Sequence, residues 1–381
     1  MKKPAIYLYA LLTTLLALTG CATEDVPGPT GPAESSPVVF DVEFATRAGE
    51  NVKDSPLYDY FIDGRSVIML SQRSNNVSID FNPYTETTEN DQTVTVPNKN
   101  LYKYVYYTNP AANWNEGFNF QPLNNSSALD WDLIESNGEL NGEYALGALF
   151  YPVDYEVYNA VQADQSSYDD LLRSNVLGAW HRTNELKSRL RFQFFHLMSA
   201  ARVTILIPDW DPADNSGFGE NAAQSAYMLK LKREFTIDWP LNNNTEEPPV
   251  PMLSNDAEPT DIKMYLESVS NEVETVNLSS INSSFPDQEE RIRRATFVIL
   301  FPPQQPTTEG PAMRFFLNTM GGAEKRYVWY SNDFSESFYR NTIINLILYL
   351  PRTENNAILI KSYIVPWTEA ESEFNVYPDD E

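Results

Sequence analysis

The sequence predicts an all-β protein built as β-sandwiches with one or two short helices, and three observations predict it. Runs of four to ten residues alternate apolar and polar side chains at period 2, which buries one face of a strand and wets the other. Asn, Pro and Gly clusters separate the runs at the short spacing that sandwich strands show. A single segment, Ser167 to Leu177, departs from this with helical spacing of Tyr168, Leu171, Leu172 and Val176.

The chain of 381 residues opens with a segment that reads as an export signal. Lys2 and Lys3 precede an apolar run from Ala5 to Leu18 that is too short to span a bilayer, and Leu18-Thr19-Gly20-Cys21 has the form of a lipobox. Cys21 is the only cysteine, so no disulfide can staple the fold, and residues 1–20 are expected to be removed with Cys21 becoming the lipidated N-terminus. Removal leaves 25 Lys and Arg against 53 acids, a net charge of −28. Such a surface repels phosphate backbones and anionic headgroups, which argues against nucleic acid and leaves acyl chains as the contact with the outer membrane. Residues 21–37 carry four prolines and two glycines without apolar periodicity and read as a flexible tether. Glu24-Asp25, just after Cys21, fits a signal for display on the outer face of that membrane.

The folded part begins with Val38 to Ala45, where Phe40, Val42 and Phe44 alternate with Asp41 and Glu43, before Arg47-Ala48 in a turn-like stretch open to a trypsin-like protease. Strands are expected at 65–70, 77–81, 93–96, 101–107 and 144–150, then the helix, with Ser166 or Ser167 as N-cap and Asp169-Asp170 favoured by its dipole. The stretch Leu190 to Pro208 at the middle of the chain reads as two strands folded back on each other, Leu190, Phe192 and Phe194 on one side of the first and Val203, Ile205 and Ile207 repeating the pattern in the second. A polar segment from Asp209 to Gln224 follows, and the domain boundary is placed there, giving an N-terminal sandwich at 38–208 and a C-terminal sandwich at 209–381. The second block restarts with Tyr227, Leu229, Leu231, Phe235, Ile237 and Trp239 on one face. Further runs lie at 263–269, 272–278, 295–301, 313–317, 326–330, 341–350 and 357–365.

Catalytic chemistry has no foothold in these residues. His181 and His196 stand apart from any ligand spacing, and no nucleophile elbow, zinc helix, phosphate loop or dinucleotide fingerprint occurs. Asp209 to Asn215 is rich in oxygen donors, but Ala213 and Asp214 occupy the fifth and sixth positions, where a helix-loop-helix calcium site needs Asp or Asn and then Gly, so the segment reads as a solvated linker. No catalytic residue, metal or cofactor is expected. Aromatics are 13% of the chain, with Tyr102, Tyr104, Tyr106, Tyr107, Trp114 and Trp131 locally dense. They fit either cross-strand packing or a platform for sugar rings.

Taken in order, several short motifs resemble the fimbrillin family, the lipoprotein subunits of type V pili on Gram-negative outer membranes. They are the lipobox at Cys21, a first strand running into Ala45-Thr46-Arg47-Ala48, Ala148-Leu149-Phe150-Tyr151-Pro152, and Ala163-Asp164-Gln165-Ser166 before Asp170-Leu171-Leu172. Phe194-Phe195-His196-Leu197-Met198-Ser199 leading into Arg202-Val203-Thr204-Ile205 continues the series, and Ile358 to Ile364 with Pro366-Trp367 closes it.

That resemblance implies two transthyretin-like, Greek-key sandwiches and a subunit of cell-surface fimbriae. Processing after Arg47 would release the first strand, with Phe40, Val42 and Phe44, and a neighbour's C-terminal strand would fill the groove. The donor positions are Ile358, Ile360 and Ile364 or, further on, Phe374 and Val376. Partners implied are other fimbrial subunits, the outer membrane through the lipid, and a host or bacterial surface ligand. The competing expectation is a surface lipoprotein that never polymerises and binds glycans through exposed aromatics.

Overall fold

A computed structural model describes residues 39–44, 56–73, 79–89, 91–107, 120–123, 129, 144–154, 159–183, 189–239, 249–281, 283, 285, 287–334 and 337–367. The strands of the N-terminal part are β1 (Val39–Phe44), β2 (Val67–Arg73), β3 (Tyr84–Glu89), β4 (Gln92–Pro97), β5 (Leu101–Tyr106), β6 (Phe120–Pro122), β7 (Tyr144–Tyr151), β8 (Leu177–Thr183) and β9 (Arg189–His196). Seven of them make one sheet in the order β1-β9-β8-β7-β2-β5-β6, antiparallel apart from the parallel pairing of β1 with β9. Alternation in β2 sends Ile68 and Leu70 to one side, with Ala148, Phe150, Phe192 and Phe194. Val67 and Met69 go to the other, with Leu149 and Tyr151. The sheet is therefore apolar on both faces, and Gly147 and Gly178 sit where that crowding is greatest: a Cβ on Gly178 would lie 2.7 Å from Cγ of Pro249.

Helix α1 (Tyr168–Arg173) starts as its residues dictate, the Ser167 hydroxyl accepting from the Asp170 N–H. It ends at Ser174, three residues short of the expected limit, because Leu177 is taken by β8. The β3–β4 hairpin forms a separate two-stranded sheet with mostly exposed residues, and its first strand, Tyr-Thr-Glu-Thr-Thr-Glu, has no apolar alternation to announce it. Ile79, Asp80 and Phe81, expected as the end of a strand, belong to none.

Eleven strands follow: β10 (Ser199–Pro208), β11 (Ala223–Leu231), β12 (Phe235–Asp238), β13 (Val250–Leu253), β14 (Thr260–Lys263), β15 (Tyr265–Asn277), β16 (Glu289–Phe301), β17 (Met313–Asn318), β18 (Glu324–Trp329), β19 (Thr342–Tyr349) and β20 (Ile358–Pro366). A second helix, α2 (Leu278–Ile281), lies between β15 and β16. A five-stranded sheet, β15-β16-β10-β19-β20, faces a four-stranded one, β14-β11-β17-β18, and the Phe297 and Phe315 rings meet across the gap at 6.3 Å. Val203, Ile205, Ile299 and Leu346 from the first sheet and Ala226, Met228, Ile262 and Tyr327 from the second fill this layer. The same core continues to Val67, Met69, Leu149 and Tyr151 of the seven-stranded sheet, and residues 37–381 form one compact unit.

The central stretch is not a hairpin. β9 and β10 belong to different sheets, joined by Leu197 and Met198, which are fully buried. A two-residue link without a turn residue carries the chain around a corner, so β10 pairs with β16 and β19 and the handover between sheets precedes Pro208. The single face expected for Tyr227 to Trp239 is also broken. Lys230 has φ +56°, the register slips between Met228 and Leu231, and the buried side changes from Ala226 and Met228 to Leu229 and Leu231.

Candidate strand-exchange site

Sheet edges are the places where a chain can accept or lend a strand, because their backbone donors and acceptors have no ladder. β1 is one such edge. Its six residues run parallel to β9 in unbroken register, setting Phe40, Val42 and Phe44 level with Leu190, Phe192 and Phe194. Those three β9 residues are 1% exposed or less. On its other side β9 joins β8, with His196 level with Leu177 and Phe195 with Gly178. β1 therefore covers one edge of β9 from Arg189 to Phe194.

β20 is a second edge, in the five-stranded sheet. Ile358 is level with Tyr349 and Ile364 with Ile344, while Ile360 falls at the register irregularity opposite Ile347 and Leu348. Both faces of β20 are half-buried: Ile358 and Ile360 pack on Leu206 and Ile347, Leu359 and Ile364 on the central core, and Val365 on Leu300 and Ile343. Its end is pinned by Trp367, whose indole N–H donates to the Leu57 carbonyl at 3.1 Å and whose ring stacks on His196 at 3.8 Å and 7°.

His196 is a structural residue. The neutral ring donates from Nδ1 to Oδ1 of Asn175 at 3.0 Å and accepts at Nε2 from the Tyr60 hydroxyl at 3.0 Å, and burial pushes its pKa down to about 3. Such a ring stays uncharged at neutral pH and has no proton to trade. Sequence reading missed the pairing of His196 with Trp367; both motifs were visible, but nothing local ties residues so far apart.

The acidic segment after β10 is solvated at Pro212 to Asn215, as expected, but anchored at its start. Asp209 is 4% exposed and its carboxylate takes Arg291 at 2.7 Å and Arg293 at 3.0 Å. Arg352 closes the loop by donating to the Asp209 carbonyl at 2.8 Å, the Ser216 hydroxyl at 2.9 Å and the Glu290 carboxylate at 2.6 Å. Gly217, at φ +85°, is required here, since a Cβ would lie 2.2 Å from the Asp209 carbonyl oxygen. Of the oxygens that resembled a cation cage, those of Asp209 are taken by arginines, while Asp211 accepts from the Ala213 N–H and Asp214 from the N–H and hydroxyl of Ser216.

Of the tyrosines that fitted a sugar platform, Tyr102 and Tyr104 are core residues, and burial pushes the Tyr104 phenol up to about 12 as its hydroxyl accepts from the Leu129 N–H. Tyr107 is exposed. Cys21, Arg47, Ala48, Trp114, Trp131, Phe374 and Val376 lie outside the described residues.

No protein-family model and no curated protein matches the chain. Solved structures it is similar to include fimbrial and proposed cell-adhesion proteins from Bacteroides and Porphyromonas. A proposed cell-adhesion protein from Bacteroides ovatus is 10% identical over 88% of this chain and 99% of that one, with a TM-score of 0.47. Another, from Bacteroides uniformis, is 12% identical over 87% and 98%, with a TM-score of 0.45. The fimbrial anchor protein Mfa2 from Porphyromonas gingivalis is 10% identical over 87% and 98%, with a TM-score of 0.30.

Proposed function

We propose that the chain is a structural, non-enzymatic subunit of cell-surface fimbriae, exported as a lipoprotein through Cys21 and assembled by strand exchange after cleavage at Arg47-Ala48. One observation carries the reading: β1 is an edge strand placed before that bond, and it pairs with Arg189 to Phe194 along one edge of β9. Its loss would leave that edge of β9 without its β1 ladder beside the buried Leu190, Phe192 and Phe194. Each unmade backbone bond costs on the order of 1 kcal/mol or more. A strand from a neighbour restores the ladder.

The donor is better sought after β20 than within it. β20 is a fully paired member of its sheet, half-buried on both faces and pinned by Trp367, so lending it would open the outer cores. The segment 368–381, with Phe374 and Val376 in alternation, has a strand-like pattern of its own. The folded part, one compact unit, then sits between exchanged ends, and the partners are other copies or related subunits. Arg47→Ala should leave a full-length lipidated monomer on cells, and truncation after Trp367 should leave a processed monomer that does not polymerise. Stable ladders on mildly heated gels from the Arg47→Ala strain would refute the scheme, as would an acylated Cys21 at the N-terminus of assembled fibres.

A further inference from the structure

We propose that β4 is a self-docking edge: β4 of one copy of the chain pairs antiparallel with β4 of a second copy about a two-fold axis at Val94, joining two ribbons into one four-stranded sheet. The contact sets copies side by side and needs no exchanged strand.

The β3–β4 ribbon stands apart from the three larger sheets, and among the described residues neither of its outer edges has a hydrogen-bonding partner. A two-stranded ribbon alone in water is marginal. Its base is anchored: the Asn98 N–H donates to the Pro83 carbonyl at 2.9 Å and the Asn98 side chain to the Asn82 carbonyl at 3.0 Å. The first of these bonds sets the phase of the ladder. Thr85 with Val96 and Thr87 with Val94 are then hydrogen-bonded pairs, so the N–H and C=O groups of Thr93 and Thr95 point away from β3. Pro97 takes the next outward position, where its missing N–H costs the ribbon nothing.

The two edges differ in charge. β3 carries Glu86 and Glu89, and full self-overlap of β3 would set Glu86 against its own copy. β4, Gln-Thr-Val-Thr-Val-Pro, has no charge, so on a chain of net charge −26 it is an edge where two copies can meet without like charges facing each other. Its four β-branched residues favour pairing, and Thr93 and Thr95 flank Val94 symmetrically. With Val94 on the axis, Thr93 lies opposite Thr95 of the second copy, and the outward groups of these threonines close a backbone ladder. Val94 meets Val94 in the closer, non-hydrogen-bonded pair between them. This register uses up both β4 edges and leaves outside only the acidic β3 edges, so association stops at two. Such a strand pair buries far less than the roughly 1,000 Å² of a stable complex, so it is weak between free copies and accumulates where copies stand in rows.

Disulfide trapping tests it on the full chain carrying Cys21→Ser, which leaves no native thiol, and Arg47→Ala, so that neither the lipid nor the proposed cleavage gathers copies. Val94→Cys places two thiols on the axis, where the Cα atoms of a non-hydrogen-bonded pair stand about 4.5 Å apart, within disulfide reach. Thr88→Cys, on the exposed outer strand of the same ribbon, is the control, because β3 and its copy would lie roughly 14 Å apart across the four strands. With oxidised glutathione as oxidant, linked dimers of Val94→Cys should form at least about tenfold faster than those of Thr88→Cys, although Val94 is the less exposed side chain. Adding Thr93→Glu with Thr95→Glu to Val94→Cys sets carboxylate opposite carboxylate across the axis, and should bring trapping down to the control rate. Equal trapping at the two positions overturns the proposal, as does trapping that survives the paired glutamates. Neither result bears on strand exchange, which Arg47→Ala has already set aside.

Discussion

Acid should unfold this protein through His196, and the size of the effect follows from its surroundings. The ring is 1% exposed, sandwiched against Trp367 and held neutral between the Tyr60 hydroxyl and Asn175, with its pKa pushed down to about 3 by burial. An unfolded histidine titrates near 6.5, so the unfolded chain takes up a proton that the folded chain refuses. A depressed folded pKa means that the stability is fully present above about pH 6.5 and is lost progressively as pH falls toward 3. Between pH 7.5 and 5.0 this one group should remove about 2 kcal/mol, at 1.36 kcal/mol for each pH unit below 6.5. Urea denaturation at the two pH values gives the wild-type slope, and His196→Phe supplies the reference. Phenylalanine keeps a ring against Trp367 but loses both hydrogen bonds, so it should cost about 1–3 kcal/mol at either pH and lower the pH dependence by about 2 kcal/mol. Equal pH dependence in the two proteins would refute the assignment.

Two further perturbations test the packing. Arg352→Ala leaves Glu290, 7% exposed, facing the Tyr349 hydroxyl without its cation and opens the Asp209 loop; a loss of about 3–5 kcal/mol is expected in denaturant titrations, with Arg352→Lys recovering part of it. Gly178→Ala drives a methyl to 2.7 Å from Pro249 and 3.0 Å from Leu197, and should cost about 1–3 kcal/mol with the midpoint shifted and the urea slope unchanged.

What could be read from the sequence was whatever period 2 controls. β10 and β17 carry alternation, β2 and β7 are apolar runs buried on both faces, and all four fall where these patterns put them. β3 was invisible: Thr85, Thr87 and Thr88 stay in an exposed hairpin that buries almost nothing, so no pattern is imposed on it. β8 was hidden by the helix before it, since Val176 and Leu177 extend the helical spacing by chance while Ser174 caps the turn. Pairing was less legible than strand existence. Nothing in Leu190 to Pro208 says whether the two runs fold back or turn a corner; the decision lies with Gly178, Pro249 and Asn341, which surround Leu197 and Met198 from distant parts of the chain. For the same reason, His196 could be judged unreactive from sequence but not assigned a partner.

Edge protection gives the clearest reason to look to the chain's ends for exchange. β6 and β14 are three and four residues long, too short to template a partner. β15 is long but carries Glu267, Glu272 and Glu274 and two register irregularities, and β18 begins Glu324, Lys325, Arg326. Each of these internal edges is shortened, bent or charged. β20 offers nine residues with a single lysine, and β1 offers six with an apolar residue at every second position from Phe40. An edge left unguarded invites aggregation unless something occupies or gates it. Four of these edges are guarded, and the two that are not, β1 and β20, are the ones on which the proposed exchange rests.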